Sequence, residues 1–141
     1  MSKMHCLALL LGLFSCCFAA RAQDVLVVAN KDVLISAISD ASLHAIFTGE
    51  KSRFVDGSRA VPVILKGGPV HEVFLKKHVG VTPEEFRAQW RKAVFTGQGA
   101  MPKTFDSESA VLEYVANTPG ALGYVSRISH DDKVKTLTTV K

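Results

Sequence analysis

Lys66-Gly67-Gly68-Pro69 lies between the apolar run Val61-Pro62-Val63-Ile64-Leu65 and the segment Val70-His71-Glu72-Val73-Phe74-Leu75, and its residue types suit the holding of a ligand. β-Branched and aliphatic residues bounded by glycines predict a buried strand, and a proline ahead of Val70, Val73 and Phe74 predicts the first turn of a helix. A strand, glycine turn and helix in that order leave backbone N–H groups unpartnered at the positive end of the helix dipole. Such a place accepts an anion, and Lys66 adds a cation. The same two glycines also serve an ordinary tight turn, so the pattern allows a site without requiring one.

Other constellations fall short of a chemistry. His71-Glu72 followed by His78 has the residue types of a zinc site, but histidines seven apart sit about two turns, roughly 10 Å, from one another along a helix. No Gly-x-Ser-x-Gly elbow is present, and all three cysteines, Cys6, Cys16 and Cys17, fall near the start of the chain. His130-Asp131-Asp132 reads as a polar bend. Gly97-Gln98-Gly99 lacks the third glycine and the preceding strand of a dinucleotide fingerprint. The expectation is a protein that is not an enzyme and carries no cofactor or metal.

The elements that would position the turn follow from pattern. Asp24 to Ala29 is a nearly unbroken apolar run of the kind buried on both faces of a parallel sheet. Ser39 or Asp40 can cap a short helix over Ala41 to Phe47, with Gly49 as its stop. Asp56-Gly57-Ser58 signals a turn before the strand at Val61, where Pro62 requires an edge or first position. Thr82, Pro83 and Glu85 form a capping box for a helix from Pro83 to Phe95. Its Phe86, Trp90, Ala93 and Val94 recur on one face, which predicts core packing for Trp90 and a solvated stripe of Arg87, Arg91 and Lys92. Met101 to Phe105 reads as a short strand. Asp106 or Ser107 then caps a helix to about Asn117, and Thr118-Pro119-Gly120 breaks it before a strand over Ala121 to Val125. Gly123 in mid-strand marks a bend or a close backbone approach. Lys133 to Val140 alternates like a last edge strand. Strands alternating with helices predict an α/β domain with a mixed, mainly parallel sheet flanked by helices.

Residues 1–22 predict a secretory signal peptide: Lys3, an apolar block from Cys6 to Ala20, and a small-x-small end at Ala20-Arg21-Ala22. The block is shorter than the roughly 20 apolar residues of a membrane span, and no membrane span is expected downstream. Phe14 is bulky where a lipoprotein box carries a small residue, which argues against lipidation at Cys16. Cleavage leaves residues 23–141 as one exported, periplasmic domain without cysteine. Loss of Lys3 and Arg21 takes the formal charge from +4 to +2, and the remaining cations are scattered, so nucleic acid is not an expected partner.

Ala45-Ile46-Phe47-Thr48-Gly49, the Asp56-Gly57 turn, the strand Val61 to Leu65, Phe86 to Trp90, Phe95-Thr96-Gly97 and Thr118-Pro119-Gly120-Ala121-Leu122-Gly123-Tyr124-Val125 carry a family likeness. The chain resembles the substrate-binding proteins of ABC phosphate-uptake systems, and in particular the short, single-lobe members of that periplasmic-binding-protein-like group, from Val25 to about Ser126. The resemblance implies one lobe of a type 2 periplasmic-binding-protein-like fold and a non-catalytic solute-binding role. In the full-length family a Ser-Gly-Thr-type turn at a helix start helps hold phosphate. Here that place matches Gly67-Gly68-Pro69-Val70, with no hydroxyl side chain. Lys66, Gly67, Gly68, Val70 and His71 are the expected ligand-binding positions, with backbone amides from Gly68 to His71 touching the anion and Lys66 assisting. Anion attraction to one exposed helix start is worth about 0.3–1 kcal/mol, or about 2 when partly buried. Micromolar affinity needs about 8 kcal/mol, so the lone lobe is expected to bind phosphate or a similar small anion only weakly unless a partner or a second copy covers the cleft. The alternative is a periplasmic accessory or sensor module that has lost its ligand.

Overall fold

The computed structural model describes residues 24–130 and 132–141. The leader expected over residues 1–22, with its three cysteines, and Asp131 lie outside the described residues. Six strands and four α-helices alternate along the chain: β1 (Leu26–Asn30), β2 (Ala37–Ser39), α1 (Asp40–Phe47), β3 (Val61–Leu65), α2 (Pro69–Phe74), α3 (Pro83–Phe95), β4 (Lys103–Phe105), α4 (Glu108–Asn117), β5 (Ala121–Val125) and β6 (Val134–Val140). A π-helical turn, Leu75–Val79, continues α2 and stops at Gly80, whose φ of 76° is open to glycine.

The strands form one sheet in the order β2-β6-β1-β5-β3-β4. β3 runs parallel to both β5 and β4, β2 runs parallel to β6, and β1 runs antiparallel to both of its neighbours. β1 therefore opposes the other five strands. This corrects the expectation for Asp24 to Ala29: the run is buried on both faces, but burial follows from helices covering the sheet and not from the direction of adjacent strands. A second correction concerns the C-terminal strand. β6 is not an edge; it pairs with β1 from Val134 to Leu137 and with β2 from Thr138 to Val140. Pro62, second in β3, precedes the pairing with β4, which begins at Val63, as a residue without an N–H requires.

Alternation along β5 sends neighbouring residues to opposite layers. Tyr124 points to the layer built from α1, α2 and α3, where its ring stacks on Phe74 at 3.9 Å and meets Phe47 edge-on at 6.1 Å. Gly123 points to α4, and a Cβ placed there would come within 2.9 Å of Val111 Cγ1 and 3.1 Å of Val63 Cγ2. The mid-strand glycine marks a close approach, here of a helix. Trp90 is in the core as its spacing predicts, 4% exposed, with Nε1 donating to Phe47 O at 2.7 Å. The capping box of α3 forms as read: Glu85 N–H donates to Thr82 Oγ1, and Thr82 N–H donates to Glu85 Oε2.

Candidate functional site

Because β5, β3 and β4 run parallel, their C-terminal ends share one edge of the sheet, the edge at which open α/β sheets place ligands. Leu65 pairs with Phe105, so Lys66 and Asp106 leave the sheet side by side, and Lys66 N–H donates to Phe105 O at 2.9 Å. The chain then turns through Gly67 and Gly68 into α2. Lys66, Gly67, Gly68 and Pro69 are exposed, and a Cβ at either glycine would meet nothing within 4 Å. Gly68 has φ 95°, ψ 176°, a conformation that side chains rarely adopt.

The start of α2 differs from those of the other α-helices described. Ser39, Thr82 and Ser107 cap α1, α3 and α4 with their side-chain oxygens, whereas Gly68 offers α2 no side-chain cap. The first bond of α2 is Glu72 N–H to Gly68 O at 3.1 Å. Helix geometry leaves the N–H groups of Val70 and His71, ahead of it, without an intrahelical partner. Both α2 and α4 carry an acid in the first turn, Glu72 and Glu108, but at α4 the carboxylate is tied to another element, accepting from Ser126 N–H and from Ser126 Oγ at 3.1 Å.

The side chains of Val70 and His71 are buried, so what these two expected positions can present outward is their backbone. His71 Nδ1 accepts from the Tyr124 hydroxyl, and that same oxygen accepts from Leu65 N–H at 3.0 Å. One phenol thus ties the last residue of β3 to the first turn of α2 and pins both arms of the turn between them. Burial holds the His71 imidazole below its ordinary pKa, opposed by Glu72 and reinforced by Arg87. Burial also pushes the Tyr124 phenol up, with the Leu65 N–H acting the other way. A neutral imidazole acceptor beside a protonated phenol is the state these shifts favour. Tyr124 was not among the positions expected from the sequence. A tyrosine in a wholly apolar strand must find a partner for its hydroxyl, which is the signal that could have found it.

The other histidine of the zinc-like pair goes elsewhere. His78 Nδ1 donates to Asp40 Oδ1 at 2.8 Å, and nearby His44 Nδ1 donates to Val79 O at 2.6 Å. These bonds dock the π turn on α1. No group of three or more His, Cys, Asp or Glu residues able to hold a metal occurs among the described residues. Near His130, Asp132 Oδ2 accepts from Ser129 N–H at 2.7 Å. No helix among the described residues is long and apolar enough to cross a membrane.

A mixed sheet with one reversed strand, covered on both faces and offering its glycine turn at the shared strand ends, is the architecture of a single lobe of a periplasmic-binding-protein-like fold. Among solved structures it is similar to phosphate-binding proteins of ABC transporters. A structure from Clostridium perfringens assigned as a phosphate ABC transporter substrate-binding protein, with phosphate bound, aligns with TM-score 0.65 and 18% identity over 82% of this chain and 44% of that chain. An ABC-type phosphate transport receptor from Vibrio cholerae aligns with TM-score 0.61 and 15% identity over 82% and 45%. PstS from Borrelia burgdorferi gives TM-score 0.60 and 17% identity over 82% and 46%. The chain thus spans less than half the length of the structures it matches. No protein-family model matches it.

Proposed function

We propose that this chain is an exported, non-catalytic solute-binding module whose Lys66 to His71 turn takes phosphate or a similar small anion for an ABC-type uptake system. The observation that carries this reading is the uncapped, solvent-facing start of α2 at the shared ends of three parallel strands. Backbone amides at Val70 and His71 would donate to the anion, and Lys66, in no ion pair with a carboxylate among the described residues, would supply the charge. With no hydroxyl in the turn and one lobe to work with, affinity in the isolated monomer is at best about millimolar. A second body closing over the turn would exclude water and strengthen each contact.

Thermal melting across a panel of anions tests the reading. Phosphate or sulfate at ten times a millimolar Kd should stabilise by about 1.4 kcal/mol and raise Tm by several degrees, an effect lost in Lys66→Ala. An unchanged Tm across the panel would remove the anion from the proposal. Submicromolar affinity in a monomer would overturn the weak-binding argument. Export is checked by intact mass, which should begin at Gln23.

One observation favours the alternative, an accessory or sensor module that binds a protein. Phe95, the last residue of α3, is 92% exposed beside Val94 at 49%. If no anion shifts Tm while Phe95→Ser weakens capture of a partner, that reading replaces the first.

A further inference from the structure

The start of β3 borders a second concavity, at the end of the strand remote from the Lys66 turn. A cavity of about 340 Å³ opens between the loop after α1, the start of β3 and the loop leading into β4. That volume falls at the small end of ligand pockets, which run from about 300 to 1,000 Å³. Trp90 lines it together with Ile46 and Pro62. The indole N–H is already committed to Phe47 O, so the ring offers only an apolar surface. Gly49 and Gly99 pack against that ring, where a Cβ would lie 3.1 Å and 3.6 Å from the indole, so the 4% exposed Trp90 shows the cavity only an apolar edge.

The charge around this apolar surface is of one sign. Lys51, Arg59 and Lys103 line the cavity, and no Asp or Glu does. Lys103 Nζ is held 4.8 Å from the centre of the Tyr114 ring, which leaves Lys51 and Arg59 as the cations available at the mouth. Both ion pairs found among the described residues involve histidine, so neither of these cations is neutralised there. An inorganic anion would gain nothing from the indole, and an uncharged hydrocarbon nothing from the two cations. A molecule carrying both an apolar body and a negative head uses the whole surface.

We propose that this cavity is a second binding site, for a small amphiphilic organic anion: a carboxylate or sulfonate on an aromatic or short aliphatic body, the body against Trp90 and the head toward Arg59 and Lys51. β3 separates it from the Lys66 turn by roughly 15 Å, so the two sites bind independently.

Trp90 is the chain's single tryptophan, which makes its fluorescence a direct readout of occupancy. Phenylacetate is the probe and phenylacetamide, of the same shape without the charge, its control. Titration of the full chain with phenylacetate should change the Trp90 emission saturably, with half-saturation at about 1 mM. Phenylacetamide should bind about fivefold more weakly, because a solvent-exposed charge contact contributes on that scale. Gly99→Val, whose new Cβ makes only ordinary contact with the ring, should abolish the change by filling the cavity. Arg59→Glu, at an exposed position, should weaken it at least about fivefold, and Lys66→Ala should leave it unaltered. The proposal is overturned by an emission that does not saturate up to about 20 mM, some twenty times the expected half-saturation. It is equally overturned by equal binding of the amide, by loss of binding in Lys66→Ala, or by full binding in Arg59→Glu. That last variant keeps the test decisive even where Gly99→Val fails to fold.

Discussion

Replacing Tyr124 by Phe removes one oxygen and keeps the ring, so the stacking on Phe74 at 3.9 Å survives while two hydrogen bonds go. The Leu65 N–H and His71 Nδ1 lose their partner together, and both residues are only 6% exposed. A buried polar group left unpaired costs about 1–3 kcal/mol, so the two together should cost about 2–4 kcal/mol after partial relaxation. That is a large share of the roughly 5–15 kcal/mol that hold a typical domain folded. For a domain of this size Tm should fall by roughly 8–16 °C. Urea unfolding of Tyr124→Phe beside the parent, fitted with a common m value, measures the loss directly. The anion-dependent rise in Tm should shrink too, because the two arms of the turn are no longer pinned to one oxygen. A loss below about 0.5 kcal/mol would refute the idea that this hydroxyl holds the turn, since it would mean that both groups find other partners.

Two further outcomes follow from particular contacts. His71 is kept neutral by burial, its pKa lowered from 6.5, so the unfolded chain takes up a proton that the folded one resists. Its contribution to stability is therefore complete above that value and is lost as pH falls from 6.5 toward the lowered folded pKa, with a slope of at most about 1.4 kcal/mol per pH unit. Urea midpoints across pH 5 to 7 should show a slope that His71→Gln flattens; identical slopes in the two proteins would count against a neutral buried imidazole. Gly123→Ala should destabilise by about 1–3 kcal/mol, because its Cβ would sit 2.9 Å from Val111 Cγ1. Adding Val111→Ala should recover part of that loss, and a Gly123→Ala protein as stable as the parent would show that α4 yields freely.

Much of the architecture was legible because its signals are local. Thr82, Pro83 and Glu85 mark the start of α3, Thr118-Pro119-Gly120 separates α4 from β5, and Gly67-Gly68-Pro69 ends one element and begins another. What escaped is long-range. β2 is three residues long and is held by β6 a hundred positions away, so no periodicity announces it. The interior place of β6 and the reversed direction of β1 are properties of neighbours, which an apolar or alternating run does not encode. The same holds at the candidate site. The glycine turn could be read from composition, whereas the Tyr124 hydroxyl that secures it comes from the strand after α4 and meets His71 only in the folded chain.

The two outermost strands of the sheet, β2 and β4, each comprise just three residues. An assembly partner therefore finds almost no ladder of unpaired backbone to extend, and strand addition is closed off as a route to both productive docking and runaway stacking. Whatever seats itself on this lobe must then be recognised through side chains and loop amides.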